Sequence, residues 1–194
     1  MKLVHIDSSS LGAHSVSRGL TAAIVEAFKR TSSDLTISYR DLVANPLPHW
    51  APVADAADPS VALGNEMLEE FLAADVIVLG APMYNFGIPS QLKAWIDRVA
   101  VAGKTFSYDA NGPKGLAGGK KVIIASSRGG FYGTGTAGAA MDFQETYLRT
   151  VLGFLGITDI EVIRAEGVNI SAEHKQQALD VAHAAIASHD RLAA

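Results

Sequence analysis

Three stretches of the chain carry side chains suited to a single ligand. In PMYNFG (82–87), a Met, a Tyr and a Phe surround one Asn just past the apolar run VIVLG (76–80). Planar aromatic faces beside one side-chain amide suit a flat heterocycle, with apolar contact for the ring and Asn85 for its polar edge. The same residues are also used well if Tyr84 and Phe86 fold back into the core or meet a second subunit. In DSSSLGAHSVSR (7–18), hydroxyls crowd a loop that runs straight into a helical pattern. A helix N-terminus offers unpaired N–H groups and partial positive charge, which suit a phosphate. Ser9, Ser15 and Ser17 add O–H donors, although Ser15 or Ser17 could equally be a plain helix cap. In SSRGGFYGTGTAGAAMD (126–142), the adjacent Gly129 and Gly130 let backbone amides approach a ligand closely, or simply make a flexible turn.

Other motifs carry less. GTGTAG (133–138) matches a dinucleotide fingerprint literally, but several residues separate it from the preceding strand pattern and no helix opens crisply after it. GKT (103–105) has Arg98 where a phosphate-binding P-loop needs glycine. NIS (169–171) matches a glycosylation acceptor without a secretory context. The six histidines lack metal-like spacing, and His183 and His189 read as helix-surface residues. No metal site is expected. With no cysteine, disulfides and thiolate nucleophiles are excluded.

The elements that must position the three loops alternate regularly. Strands are predicted at 2–6, 35–42, 76–80, 120–126 and 160–168, the third and fourth as runs buried on both faces. Helices are predicted at 17–30, 64–74, 89–100, 143–156 and 171–189, with Pro89 in a first turn and Ser171 as an N-cap. TFSYDANGP (105–113) reads as a projecting hairpin. Five strand–helix alternations argue for a parallel sheet covered on both faces, with ligands beyond the carboxyl ends of the strands. The three loops follow the first, third and fourth of those strands.

At 194 residues the chain reads as one domain, 1–194, with no linker or repeat dividing it. A net charge of −4 gives no basic footprint, so no nucleic-acid partner is expected. No apolar run approaches the roughly 20 residues of a membrane helix, and no leader is evident, so a cytoplasmic protein without membrane contact is expected.

Phosphate donors, a planar-ring clamp and glycine amides together describe a mononucleotide with a flat ring, and flavin mononucleotide (FMN) fits best. Over nearly its whole length the chain resembles the FMN-dependent NADH-azoreductases, a quinone-reductase group within the flavodoxin-like fold. RDLVANPLPHW, APMYNFGIPSQLKAWIDRV, GKTFSYDANGPKGLAGGKK, SSRGG and GFLGITDI carry the resemblance, in the family's order and spacing. It implies an α/β, three-layer flavodoxin-like sandwich with a five-stranded parallel sheet of order 2-1-3-4-5 and helices on both faces. It also implies a homodimer with one FMN per subunit near the interface. By that similarity Ser9 and Ser15-Val16-Ser17 hold the phosphate. Met83, Tyr84, Asn85 and Phe86 line the flavin ring, and Ser127, Arg128, Gly129 and Gly130 contact its polar edge. The alanine-rich stretch between Pro46 and Leu63 and the segment FYGTGTAGAAMD depart from what is diagnostic and leave the acceptor pocket undefined.

The chemistry expected from the resemblance is hydride transfer from NADH, or NADPH, to flavin N5, then reduction of a quinone or azo compound in the same place, by ping-pong kinetics. No side chain acts as nucleophile. Asn85 and the amides of Gly129 and Gly130 would stabilise the reduced flavin, while Tyr108 and Phe131 would wall the acceptor pocket, or else pack as ordinary loop and interface residues. Three other functions compete: a non-catalytic flavodoxin-like electron carrier, an acyl-carrier-protein phosphodiesterase, an activity ascribed to relatives of the family, and a flavin-binding regulator without turnover, which the sequence gives no reason to prefer. A carrier should bear a strongly acidic docking face. A phosphodiesterase needs a metal or an activated nucleophile, and the sequence offers a constellation for neither.

Overall fold

The computed structural model describes residues 1–53, 55 and 57–189; the last five residues of the 1–194 span lie outside them. In chain order the first elements are β1 (Lys2–Asp7), α1 (Val16–Thr31), β2 (Thr36–Asp41), α2 (Pro59–Ala73), β3 (Val76–Pro82) and α3 (Ser90–Val99). There follow β4 (Phe106–Asp109), β5 (Gly112–Gly115), β6 (Lys121–Ser127), α4 (Glu145–Phe154), β7 (Asp159–Ala165) and α5 (Ala172–His189). Five strands form one parallel sheet in the order β2-β1-β3-β6-β7. Counting only these strands, that is the expected order 2-1-3-4-5.

Alternation along the strands divides the core in two, because successive side chains point to opposite faces. Ile77 and Leu79 of β3 join Val4, Ile6, Val122 and Ile124 against α2, α3 and α4, where Met67, Phe71, Trp95 and Leu148 are buried. Val76 and Val78 join Leu3, Ile123 and Ala125 against α1 and α5, where Leu20, Ile24, Ala182 and Ile186 are buried. Each large side chain so buried contributes roughly 1.5–3 kcal/mol, which holds the central strands rigid. β3 is buried from end to end, as its unbroken apolar run requires.

Register aligns the strand ends. Asp7 pairs with both Asp41 and Gly80, Pro82 with Ser127, and Ser127 with Ala165. The loops that follow therefore leave one edge of the sheet together. Gly80 is required there, since a Cβ would stand 2.8 Å from Asp7 Oδ1.

The main difference from the sequence expectation is α2, which begins at Pro59 rather than 64. Asp58 caps it by accepting from the Ser60 amide at 2.8 Å, and Pro59 occupies its first turn. The hairpin β4–β5 is antiparallel and separate from the main sheet. Its base is docked on the end of α4: the Ala117 amide donates to Leu155 O at 2.9 Å, and the Phe106 and Phe154 rings lie 4.6 Å apart. A Cβ on Gly115 would stand 2.2 Å from Gly156 N, so the two backbones touch directly. Among the described residues no helix is long and apolar enough to cross a membrane.

Candidate functional site

The loop after β1 is fastened to the sheet by Ser8, whose hydroxyl donates to Gly80 O at 2.6 Å. Ser9, Ser15 and Ser17 are all buried behind it. Ser15 is the N-cap of α1, accepting from the Arg18 amide at 3.2 Å, and its hydroxyl lies 3.1 Å from that of Ser17. The capping role is thus present. Two amides of the first turn, those of Val16 and Ser17, find no acceptor among the described residues and are left for an anion.

Beyond β3 the chain makes a tight reversal. Tyr84 and Gly87 exchange both backbone hydrogen bonds at 3.0 Å, and Asn85 and Phe86 between them have φ of 48° and 70°. Two left-handed residues inside a two-residue hairpin define a type I′ turn, where Asn is favoured first and Gly second. Phe in the second place is strained. Asn85 and Phe86 form the exposed tip of this turn. The Phe86 carbonyl accepts from the Phe143 amide at 3.1 Å, and its ring meets Tyr132 edge-on at 6.0 Å. The Tyr84 hydroxyl accepts from the Ser10 amide at 3.1 Å and lies 3.2 Å from Ser9 Oγ, so the aromatic loop is tied to the serine loop.

Beyond β6 the Met83 amide donates to Ser127 O at 2.8 Å. Gly129 and Gly130 accept through their carbonyls from Asn169 and Gly167, at 3.1 and 2.9 Å, while their amides have no acceptor among the described residues. The Arg128 side chain does not face this surface. It is fully buried, with Nη2 at 2.8 Å from Asp142 and 2.6 Å from Glu145, and Nη1 at 3.0 Å from Glu166. Its Nε donates to Gln144 Oε1 at 2.9 Å and Ser126 Oγ at 3.2 Å. Any contact Arg128 makes with a ligand is made by backbone. Burial raises the Glu145 carboxyl, but hydrogen bonds from Arg164 and the charge of Arg128 outweigh it and leave the group below the usual carboxylate range.

Ser9, Ser15, Val16, Met83, Tyr84, Ser127, Arg128 and Gly129 line one cleft of about 100 Å³, with His14, Asn169 and Lys175. The cleft has room for a phosphate-sized group, well below the several hundred Å³ of an enclosed cofactor pocket. A flat ring would lie outside it, against the exposed turn. Tyr108 and Phe131 are not gathered here. Tyr108 is 70% exposed on the hairpin beside Phe106 and Phe154, and Phe131 lies in the groove between β7 and α5, 6.1 Å from His174. GTGTAG falls inside the loop after β6, followed by a single 3-10 turn, Ala139–Met141. His183 is exposed on α5; for His189 only the backbone is described.

A family model described as the flavodoxin-like fold matches residues 1–189. The chain belongs to that flavodoxin-like family. An FMN-dependent NADH:quinone oxidoreductase of Sinorhizobium fredii is 59% identical over 99% of this chain and 98% of its own length. One from Xanthomonas axonopodis pv. citri, FMN-dependent NADH:quinone oxidoreductase 1, is 56% identical over 100% and 99%. The crystal structure of an azoreductase from Bacillus anthracis superposes with a TM-score of 0.89 at 27% identity, covering 98% of each chain.

Within this flavodoxin-like frame, one group behind the serine loop was not read from the sequence. Arg18 grips Asp41 through Nη1 at 2.7 Å and Nη2 at 2.8 Å, and lies 3.7 Å from Asp7. Asp7 accepts from Thr21 at 2.8 Å and from the Tyr39 hydroxyl at 3.0 Å. Burial pushes the Asp7 carboxyl up, while His5, Thr21 and Tyr39 outweigh that and bring it below its ordinary value. The hydrogen bonds from Arg18 bring Asp41 down to about 2, and burial, with Asp7 beside it, pushes the Tyr39 phenol up to about 12. The signal in the sequence was faint: an Asp at the end of each of the first two strands, brought side by side only by the β1–β2 register.

Proposed function

We propose that this flavodoxin-like chain is an FMN-dependent NADH:quinone oxidoreductase, with azo compounds as further acceptors. One observation carries the reading. Three loops from adjacent strand ends bring the start of α1, Met83 and Tyr84 at the foot of the strained turn, and Gly129 around one cleft, and the amides of Val16, Ser17, Gly129 and Gly130 have no acceptor among the described residues. The donors fit FMN: an anion-binding helix start for the phosphate, and neutral N–H groups for the carbonyl edge of the ring. Relatives sharing more than half their residues over the full length carry that activity in their names.

In this reading Ser9 and Ser15-Val16-Ser17 hold the phosphate, with Lys175 nearby. Met83, Tyr84, Asn85 and Phe86 support the ring. The amides of Gly129 and Gly130, with Ser127 and the Arg128 backbone, meet its polar edge. When bound, FMN supplies hydride acceptance at N5 from NADH, or NADPH, and two-electron delivery to the acceptor. Donor and acceptor share the open face above the turn, so turnover is ping-pong. The protein acts as a cytoplasmic homodimer with one FMN per subunit near the interface. Tyr108 and Phe131 wall an acceptor pocket only with the help of the partner subunit, since neither lines the cleft of its own chain.

Anaerobic titration of the FMN-loaded protein with NADH, followed in the visible flavin band, tests this. Rapid bleaching in one two-electron step is expected. FMN that stays oxidised with both NADH and NADPH would leave an electron carrier, and failure to retain FMN would end the reading of the three loops.

A further inference from the structure

The peptide unit joining Ser9 to Ser10 is held at both ends by side chains from other elements. Its carbonyl accepts from Arg18 Nε at 3.1 Å and Nη2 at 2.8 Å. Its N–H donates to the Tyr84 hydroxyl at 3.1 Å. Arg18 is in turn aimed by Asp41, the last residue of β2, through two short bonds of 2.7 and 2.8 Å. Asp41 is itself fixed, accepting from the amides of Val43 and Ala44 at 3.0 and 3.1 Å. The Arg18 guanidinium is thus committed to a carbonyl and a carboxylate, with the Tyr39 hydroxyl at 3.3 Å and Asp7 at 3.7 Å from Nη1, and its side chain is only 17% exposed. A planar guanidinium makes all four of these bonds at once, two along each edge, whereas an ammonium has three donors at one point and cannot reproduce that geometry.

The geometry points to Arg18, aimed by Asp41, as a positioning residue for the phosphate end of the cofactor site. It sets the plane of the Ser9–Ser10 peptide, and so sets the serine loop against both the start of α1 and the aromatic loop. Arg18 does this from behind the loop. The inference rests on the FMN reading.

Long-range attraction between a buried cation and a phosphate would also make Arg18 matter, and Asp41 separates the two explanations. If only the field counts, removing the Asp41 charge tightens phosphate binding. If position counts, it loosens it. The full-length chain, stripped of flavin, is titrated with FMN and with riboflavin, which lacks the phosphate, and quenching of flavin fluorescence is read. Arg18→Lys and Asp41→Asn are each expected to weaken FMN binding about tenfold, the scale of one charged hydrogen bond, with riboflavin unchanged within about twofold. Equal loss for both flavins, unchanged FMN binding, or tighter FMN binding in Asp41→Asn would overturn the inference. Should Arg18→Lys fail to fold, the near-isosteric Asp41→Asn decides alone. A wild-type chain that binds neither flavin would remove the FMN reading itself, and this inference with it.

Discussion

Tyr84 and Gly87 exchange two backbone hydrogen bonds of 3.0 Å, and this closes a turn in which Phe86 takes a φ of 70°. A left-handed non-glycine residue costs roughly 1–2 kcal/mol, and Phe86, at 42% exposure, recovers little of that by burial. Strain held at an exposed aromatic suggests a ring to cover it. Phe86→Gly should therefore raise the melting temperature of the flavin-free chain by about 2–4 °C per kcal/mol relieved, while weakening FMN binding. Thermal melts with and without FMN check both halves. A variant that lost stability without FMN would show that Phe86 serves packing instead.

Arg128 carries a different load. Its guanidinium is shared by Asp142, Glu145 and Glu166, and among the described residues only Glu145 of the three has a second cation within ion-pair distance, Arg164, at 2.6 Å. Arg128→Met leaves the half-buried Asp142 and Glu166 without their guanidinium partner and takes one of two cations from the buried Glu145, and about 3–5 kcal/mol of stability should be lost. Urea unfolding at neutral pH measures it. Glu145 is held below its ordinary value in the native protein, so its stabilising share is present above the free carboxylate range and fades in acid. In the variant Glu145 loses the charge of Arg128, one of the groups that offset its burial, and takes up a proton at higher pH than in the native protein. The gap between the two proteins should accordingly narrow as the pH is lowered.

Most of the fold was legible because burial leaves a pattern. The runs at 76–80 and 120–126 had to be central strands, and alternation with helical spacing fixed the parallel sheet. The start of α2 was missed, although Asp58-Pro59 is an N-cap followed by a first-turn proline, because the alanines before it read as loop. At the site, the serine loop, the aromatic turn and the glycine pair were readable as residue types in the loops that follow β1, β3 and β6. The strain at Phe86, the inward Arg128 side chain and the Arg18–Asp41 pair were not. Each depends on partners brought together only by strand register and loop closure.

Asp41 gives a pH signature. Its carboxyl is brought from an unfolded value of about 3.9 down to about 2 by Arg18. A depressed carboxylate stabilises the native state fully above the unfolded value and loses that share as the pH falls through the folded one. Asp41→Asn should melt below the wild type at pH 6, and the difference should close between about pH 4 and about pH 2. Melting curves of both proteins across that window test it; a constant difference would assign the loss to shape rather than charge.

The base of the hairpin can be tested at one atom. A Cβ on Gly115 would stand 2.2 Å from Gly156 N and 2.5 Å from Leu155 C, both backbone. Gly115→Ala must push β4–β5 off the end of α4. Hydrogen exchange should quicken at the amides of Leu116 and Ala117, which bond to Thr105 and Leu155 at 2.9 Å, while the main sheet stays protected. Protection unchanged at those amides would show that the contact yields without cost.

That contact also restricts how the surface around Tyr108 can diversify. Because Gly115 and Gly156 meet backbone to backbone, residues inserted at the foot of the hairpin would have to prise it from the helix. Residues added at the tip, around Ala110 and Asn111, meet no such obstacle. Relatives of this chain with a longer arm should thus have grown outward from Asp109 and Gly112, lengthening the arm while its anchorage stays fixed.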